Sequence, residues 1–175
     1  MTKSTLEAVE LPTQAQRLTF AEARTRYQRQ VFAFVANRIR PVQEAEDVVA
    51  NVFVDAYRHW GRCKGDPRLW LLGIARRKVS DALRRKRPVW SIREEDATSN
   101  AMDEFVTQVQ ANHAAALVAQ LPPDERDALL MQVVEEMPID EIATVLGRSA
   151  KATNSLLGRA RTRIRRQLEK SGVEQ

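Results

Sequence analysis

Residues 139–169 read IDEIATVLGRSAKATNSLLGRARTRIRRQLE, a short apolar run followed by a glycine-containing turn and a longer basic run. Pro138 directly precedes the first run and Gly147 directly follows it, positions typical of the start and the C-terminal cap of a helix. Ser149 is a suitable N-cap for a second helix that extends to about residue 169. Two helices with this spacing predict a helix-turn-helix, whose second helix can enter the major groove of DNA.

The second helix of this motif combines an apolar face with a strongly basic one. Leu156, Leu157, Ala160 and Ile164 recur at helical spacing and form the apolar face. A two-helix hairpin in a plain bundle is the alternative, but it gives this helix no reason to be so basic. Polar residues near the helix start suit base edges, and later arginines suit phosphates. The candidate DNA-binding residues of this half are Arg148, Lys151, Asn154, Ser155, Arg159, Arg161 and Arg163.

The rest of the 175-residue chain also predicts helices. Glycine and proline are sparse, at 6 and 7 residues, which argues against a β-sandwich or barrel. Apolar residues recur at three- and four-residue steps in segments 18–39, 45–60 and 69–83, and further helices are predicted at 105–120 and 123–136. We therefore predict an all-α fold with two small helical domains.

A change of composition separates the two domains. Residues 88–103 have no helical face and gather carboxylates, which is typical of a flexible acidic linker. The first twelve residues contain no apolar signal core, and no run of about 18 apolar residues occurs, so we expect a cytoplasmic protein. The predicted units are an N-terminal arm at 1–16, a first domain at 17–87, the linker at 88–103, a second domain at 104–170 and a tail at 171–175.

Basic residues are concentrated in two helices. The chain has 28 Lys and Arg against 23 Asp and Glu, a net charge of +5. One cluster lies on the third helix and the other lies on the last helix. Either cluster alone is also typical of a solvated helix face, but one cluster in each domain favours a nucleic-acid partner.

The second predicted helix carries an acidic stripe. Glu44, Asp47, Asn51 and Asp55 are three, four and four residues apart and therefore share one face. An ordinary solvent face is the alternative interpretation. Carboxylates repel DNA, so a functional stripe here predicts a basic protein surface as its partner.

Several classes of site are excluded by composition. One cysteine, Cys63, and two histidines rule out a disulfide scaffold and a Cys/His zinc site. We expect no catalytic residues, no metal and no cofactor, because no phosphate loop or acid/base constellation is present. A small metal-dependent nuclease is disfavoured on this ground. A stand-alone helix-turn-helix regulator remains a rival, but it leaves the acidic stripe and the first basic cluster unexplained.

Both halves resemble regions 2 and 4 of the extracytoplasmic-function group of bacterial sigma factors, in the sigma-70 family. The segment EAEDVVANVFVDAYRHW at 44–60 resembles the group's D-A-E-D-L-V-Q-E-V-F-L-x-A-W/Y pattern. The segment WLLGIARRKVSDALRRKR at 70–87 resembles W-L-x-R-I-A-R-N-x-x-x-D-x-L-R-R, with Gly73 and Arg77 where the pattern has Arg and Asn. The second half matches over LPPDERDALLMQVVEEMPIDEIATVLGRSAKATNSLLGRARTRIRRQL at 121–168.

This resemblance implies a role for each part of the first domain. The acidic helix would dock on the β′ clamp helices of core RNA polymerase, through Glu44, Asp47, Asn51, Phe53 and Asp55. The loop before the third helix would accept a base flipped from the −10 element of the promoter, while arginines nearby hold phosphates. The implied −10 residues are Cys63, Lys64, Gly65, Asp66, Arg76, Arg77, Arg84, Arg85 and Lys86.

The resemblance also implies what the second domain and the partners would be. The helix-turn-helix would bind the −35 element, the domain would meet the polymerase β flap, and the acidic linker would thread toward the RNA exit path. An anti-sigma factor would cover the polymerase-binding faces of both domains. Promoter elements about 17 base pairs apart lie about 58 Å apart at about 3.4 Å per pair, a span that two tethered domains can bridge.

Overall fold

The computed structural model describes residues 18–85 and 114–170, and within these ranges the chain is helical. The predicted all-α fold is confirmed, while residues 1–17, 86–113 and 171–175, including the predicted linker and Lys86, lie outside the described residues. A short helical segment at 114–119 precedes the main helices of the second domain. The main helices are α1 (Phe20–Ala36), α2 (Val42–Arg58), α3 (Pro67–Arg85), α4 (Pro123–Val133), α5 (Ile139–Leu146) and α6 (Ala150–Lys170).

Helices α1, α2 and α3 pack against one another as a three-helix unit. Each contributes the apolar stripe that its periodicity predicts, including the fully buried Phe34, Val52 and Leu71. Helix α2 ends at Arg58, two residues before the predicted end, and Trp60 begins a short 3₁₀ turn. The ring of Trp60 lies 5.8 Å from that of Trp70, so this turn closes the end of the unit with an aromatic contact.

Helix α1 begins with a reciprocal capping box. The amide nitrogen of Glu22 donates to the Thr19 hydroxyl at 3.3 Å, and the Thr19 amide donates to the Glu22 carboxylate at 2.8 Å. Two backbone donors that the helix leaves unpaired are thereby satisfied. The Thr19 bonds lower the pKa of Glu22, which keeps this carboxylate charged at the positive end of the helix dipole.

Replacing Thr19 with alanine is expected to lower the free energy of unfolding by about 1 kcal/mol, because the hydroxyl that accepts from the helix amide is lost. The measurement is urea denaturation followed by circular dichroism. Thr25→Ala is the matched control, since Thr25 is exposed in the same helix and bonds only the carbonyl of Ala21. Equal midpoints for the two variants would contradict this account of the helix start.

The first main helix of the second domain, α4, ends earlier than the sequence predicts. The sequence predicts a helix that extends to residue 136, yet the helix ends at Val133. The amide of Glu135 instead donates to the carbonyl of Leu130 at 3.2 Å, and that of Met137 donates to Met131 at 2.9 Å. This closing turn buries Met137 beside α4 and sets the direction of the chain into α5.

Helices α5 and α6 form the predicted helix-turn-helix. Gly147 ends α5 with φ 63° and ψ 38°, the left-handed conformation that glycine adopts without strain. The Ser149 hydroxyl accepts from the Ala152 amide at 3.2 Å, which confirms it as the N-cap of α6. Ile142 and Leu157 are buried on the facing sides of the two helices.

The two domains share one apolar core in this structure. A single cluster of buried side chains runs from Leu71 and Leu72 of α3 to Ile142 and Val145 of α5. A smaller buried cluster consists of Leu121, which precedes α4, Leu129 of α4 and Ala160 of α6. The sequence predicts two domains joined by a flexible linker. Their close packing in the structure could not be predicted from the spacing of apolar residues.

Candidate nucleic-acid and protein interface

The start of α6 presents polar side chains to solvent. Lys151, Asn154 and Ser155 are exposed, while Thr153 and Leu157 on the opposite side are buried. The Ser155 hydroxyl donates to the Lys151 carbonyl at 3.0 Å, a local bond within the helix. This face is as predicted for a helix that enters a DNA groove.

A buried carboxylate holds two arginines farther along α6. Only 6% of the Glu125 side chain is exposed, and its Oε1 accepts from Nε of Arg159 at 3.1 Å. Nε of Arg163 lies 3.0 Å from Oε2, an ion pair rather than a hydrogen bond. Both arginines remain more than half exposed, so each can still meet a phosphate. Sequence reasoning missed Glu125, because its partners are more than thirty residues away.

Two other predicted DNA-binding arginines have polar partners on α4. Arg161 Nη2 donates to the Gln132 side-chain oxygen at 2.7 Å, and it remains exposed. Arg148, in the turn between α5 and α6, pairs with Asp124. In the first turn of α4, Asp124 therefore contacts the turn between α5 and α6, and Glu125 contacts α6.

The basic side chains of α3 point in two different directions. Arg77, Arg84 and Arg85 are exposed, with Arg84 paired to Asp81 of the same helix. Arg76 points toward the second domain, where its Nε donates to Asp127 at 2.9 Å and its Nη2 pairs with Asp124. The structure therefore separates Arg76 from the other predicted phosphate ligands.

A cleft of about 350 Å³ lies beside the loop that precedes α3. In that loop Lys64, Gly65 and Asp66 are exposed and Cys63 is half-buried. Gly65 has φ +80°, a conformation that glycine adopts without strain. The cleft is lined by Asp55, His59, Arg62, Trp70, Ile74, Arg77, Lys78 and Asp81.

The lining of the cleft combines an aromatic residue and cations with the carboxylates of Asp55 and Asp81. Trp70 contributes the aromatic ring, and Arg62 and Arg77 contribute positive charge. Unpaired bases stack on such surfaces while cations meet the backbone. In the sequence Trp70 lies on the apolar stripe of segment 69–83, a position that favours core packing over stacking on an unpaired base. Its spacing gave no sign that one side of the ring borders an open cleft.

The acidic stripe of α2 is only partly open. Asp47 and Asn51 are exposed, Glu44 is half-buried, and Asn51 donates to the Asp47 carbonyl at 2.9 Å. Asp55 pairs with Lys78 of α3 at 2.5 Å, and that hydrogen bond lowers the pKa of the Asp55 carboxyl. Phe53 is 8% exposed. Asp47 and Asn51 are thus the stripe residues best placed to meet a partner.

A groove of about 1020 Å³ runs between α1 and α2 next to the stripe. Phe53 lies at its base, with the Arg24 guanidinium 5.8 Å from the ring centre. Val54 and Tyr57 are 47% and 69% exposed along its edge. The sequence analysis missed the contribution of α1, whose exposed side chains carry no motif of their own.

Within residues 18–85 and 114–170, no helix is both long and apolar enough to cross a membrane. The same part of the chain holds no group of three or more His, Cys, Asp or Glu side chains arranged to bind a metal ion.

Two family models match the chain in the order of its domains. The model for sigma-70 region 2 matches residues 24–89, and that for sigma-70 region 4 matches residues 114–164. Two solved structures are similar at the level of the fold. One, a complex of CnrH with the cytosolic domain of CnrY, has a TM-score of 0.62 at 23% identity and covers 86% of this chain and 88% of that one. The sigma factor RpoE from Bartonella quintana, solved with the anti-sigma factor NepR, has a TM-score of 0.63 at 17% identity, covering 89% and 98%.

Sequence relatives extend over most of both chains. RNA polymerase sigma factor CarQ of Myxococcus xanthus is 32% identical over 86% of this chain and 86% of its own length. RNA polymerase sigma-H factor of Pseudomonas aeruginosa is 29% identical, covering 82% and 83%. ECF RNA polymerase sigma factor SigM of Bacillus subtilis is 26% identical, covering 85% and 94%. Both family regions match in order, and CarQ is 32% identical over 86% of its length. The chain therefore belongs to the extracytoplasmic-function group of sigma factors, in the sigma-70 family.

Proposed function

We propose that this sigma factor directs core RNA polymerase to promoters by binding the enzyme through α2 and the two promoter elements through α3 and α6. The observation that carries the proposal is the order of three surfaces along one chain: an acidic helix, a basic helix beside an aromatic cleft, and a basic helix-turn-helix. Relatives named as sigma factors align with this chain over 83% and 86% of their own length. Catalysis belongs to the polymerase, and we place the protein in the cytoplasm with it.

The polymerase contact is assigned to the exposed part of the acidic stripe. Asp47 and Asn51 would meet basic residues of the β′ clamp helices, with Glu44 and Asp55 contributing at the edges. Phe53 would act from beneath, by supporting the groove beside the stripe. The β flap would take the second domain.

The −10 contact is assigned to the cleft and the exposed end of α3. Cys63, Lys64, Gly65 and Asp66 form the loop between Arg62, which lines the cleft, and the start of α3. A base extruded from the duplex would enter the cleft between α2 and Trp70 of α3, next to this loop. Arg77, Arg84 and Arg85 are exposed for phosphates of the same strand. Arg76 could join them only after leaving its partners on α4.

The −35 contact is assigned to α6 and the turn before it. Lys151, Asn154 and Ser155 would face base edges in the major groove, while Arg148, Arg159, Arg161 and Arg163 would hold the flanking phosphates. Glu125 would position Arg159 and Arg163 from behind.

Replacing Glu125 with glutamine is expected to lower transcription from a promoter with an intact −35 element about 3- to 10-fold. The neutral amide keeps the shape but holds the two guanidinium groups less firmly. A promoter with a scrambled −35 element should respond little, because the effect acts through α6. Glu169→Gln, which makes the same change at an exposed site near the end of α6, is the control. Equal losses on both promoters would contradict a positioning role.

An anti-sigma factor is the expected regulator. The sigma factor RpoE of Bartonella quintana, which is similar to this chain in fold, was solved in complex with the anti-sigma factor NepR. We propose that such a partner covers the α2 stripe and groove of this chain, in competition with polymerase.

The experiment that tests the function is reconstitution with core RNA polymerase, followed by sequencing of transcripts started on genomic DNA. We expect discrete start sites that share two upstream elements at one spacing. If the chain fails to associate with core enzyme and binds a palindromic duplex tightly by itself, it is a stand-alone regulator.

A further inference from the structure

An ion pair joins the two helices that form the walls of the cleft before α3. Oδ2 of Asp55 in α2 lies 2.5 Å from Nζ of Lys78 in α3, and both residues line the cleft. The Asp55 side chain is 33% exposed and that of Lys78 is 30% exposed, so solvent screens this pair less than a fully open surface pair. The pair therefore fixes the distance between α2 and α3 at this point.

Asp55 differs in this respect from the exposed residues of the acidic stripe. Asp47 and Asn51 face solvent, and the Asn51 side chain donates to a carbonyl within α2. The carboxylate of Asp55 instead accepts a hydrogen bond from Lys78, and that bond lowers its pKa against the opposing effect of burial. The group therefore stays ionised at neutral pH, and its ion pair lies across the cleft rather than along the stripe.

A second contact joins the same two walls nearer the loop. The rings of Trp60, which follows α2, and Trp70 of α3 meet edge-on with 5.8 Å between their centroids. Trp70 and Lys78 are eight residues apart in α3, which places the two contacts about 12 Å apart along the helix. The aromatic contact thus holds the walls together near the loop, and the ion pair holds them about two turns farther along.

Lys78 has an alternative partner on its own helix. Asp81 follows three residues later in α3, also lines the cleft, and pairs with Arg84. Without the charge of Asp55, the ammonium group of Lys78 can turn to Asp81, because residues three apart share one face of a helix. The charged link between α2 and α3 would then be lost, and the cleft would lose its defined width at this point.

We propose that Asp55 is a positioning residue for capture of the −10 base, and that its ion pair with Lys78 sets the width of the cleft between α2 and α3. This inference rests on the proposed function, which places the extruded base in that cleft. A base that stacks on one aromatic ring is held in the productive geometry only while the facing wall keeps it there. The ion pair holds that wall, so Asp55 acts on promoter melting through Lys78.

Reversing the charge at each position tests the pair. Asp55→Lys makes the chain more positive and Lys78→Asp makes it more negative, so general attraction to DNA would move the two variants in opposite directions. We expect both to lower promoter melting about tenfold, because each places like charges across the cleft, and the double variant to return to within about threefold of wild type. Melting is measured as permanganate reactivity of unpaired thymines, with the chain in saturating excess over core polymerase, on a promoter found by the transcript sequencing above.

The double variant also separates positioning from polymerase binding. Position 55 carries lysine in Asp55→Lys and in the double variant alike, so a role in polymerase binding alone would leave both equally defective. That result would overturn the proposal, as would opposite effects of the two single variants or wild-type melting by both. Asp140→Lys makes the same charge change as Asp55→Lys at an exposed site of α5 and is the control.

A scan of abasic sites along the non-template strand of the −10 element distinguishes this inference from the proposed function. Wild type should melt one abasic promoter poorly, because the cleft is then without its base, and on that promoter the single variants should lose little more. If no abasic position affects melting by wild type, the cleft captures no base, and the proposed −10 contact fails together with this inference. If one position matters but the double variant stays defective on the intact promoter, only the positioning role is wrong.

Discussion

Replacing Asp47 with arginine is expected to weaken association of the chain with core RNA polymerase about a hundredfold or more. Asp47 is exposed at the centre of the α2 stripe, and its neighbour Asn51 bonds only the Asp47 backbone carbonyl. A carboxylate that meets a basic surface gains a charge-assisted contact, and reversal converts it into repulsion between like charges. The loss of affinity should be smaller at higher salt, because screening weakens both the attraction in wild type and the repulsion in the variant.

The measurement is a binding titration of labelled chain against core enzyme without DNA, at two salt concentrations. Asp140→Arg carries the same charge change on an exposed site of α5 and should bind core like wild type. Helical content should be unchanged in both variants, since neither side chain is buried. If Asp47→Arg binds as tightly as Asp140→Arg, the acidic stripe is an ordinary solvent face.

The helices could be predicted from sequence because their signals are local. Gly147 and Ser149 mark the turn of the helix-turn-helix, and the structure shows the left-handed cap and the hydroxyl bond that these residues imply. Errors occur where a local signal competes with packing. The apolar pattern of α4 continues past Val133, but the chain turns there to bury Met137.

The contact between the domains could not be predicted in this way. Arg38 meets Asp127 and Glu135 across 89 and 97 residues of sequence, and no periodicity links them. Arg76 shows the consequence. Composition places it in a basic cluster for DNA, whereas the structure pairs it with carboxylates of α4 that were not assigned a role. A cluster of basic residues predicts a polyanionic partner. Only the fold shows that carboxylates of α4 also pair with one of its arginines.

The same limit applies to the cleft before α3. Trp70 lies on an apolar stripe, and a stripe distinguishes core from solvent but not a packed ring from one bordering a cleft. Its edge-on contact with Trp60 fixes the ring orientation and so defines one wall. The family resemblance drew attention to the loop, and the structure adds the aromatic wall beside it.

The double substitution Lys151→Ala and Asn154→Ala is expected to lower transcription from promoters with a −35 element about thirtyfold or more. Both side chains are exposed in the first two turns of α6, the part of a recognition helix that reaches base edges. A good side chain–base contact contributes about 1–3 kcal/mol of discrimination, so two together give this range. Thr153 and Leu157, which hold the helix in place, are untouched and buried.

The decisive comparison is between base contacts and phosphate contacts on one helix. Arg165→Ala with Arg166→Ala removes two exposed cations near the end of α6, and this pair should weaken binding to intact and scrambled −35 elements alike. The Lys151 and Asn154 pair should instead reduce the ratio between the two elements, measured as holoenzyme affinity at fixed salt. If both pairs lower affinity without changing that ratio, α6 contributes charge only. Sequence discrimination at the upstream element must then come from another surface of the second domain.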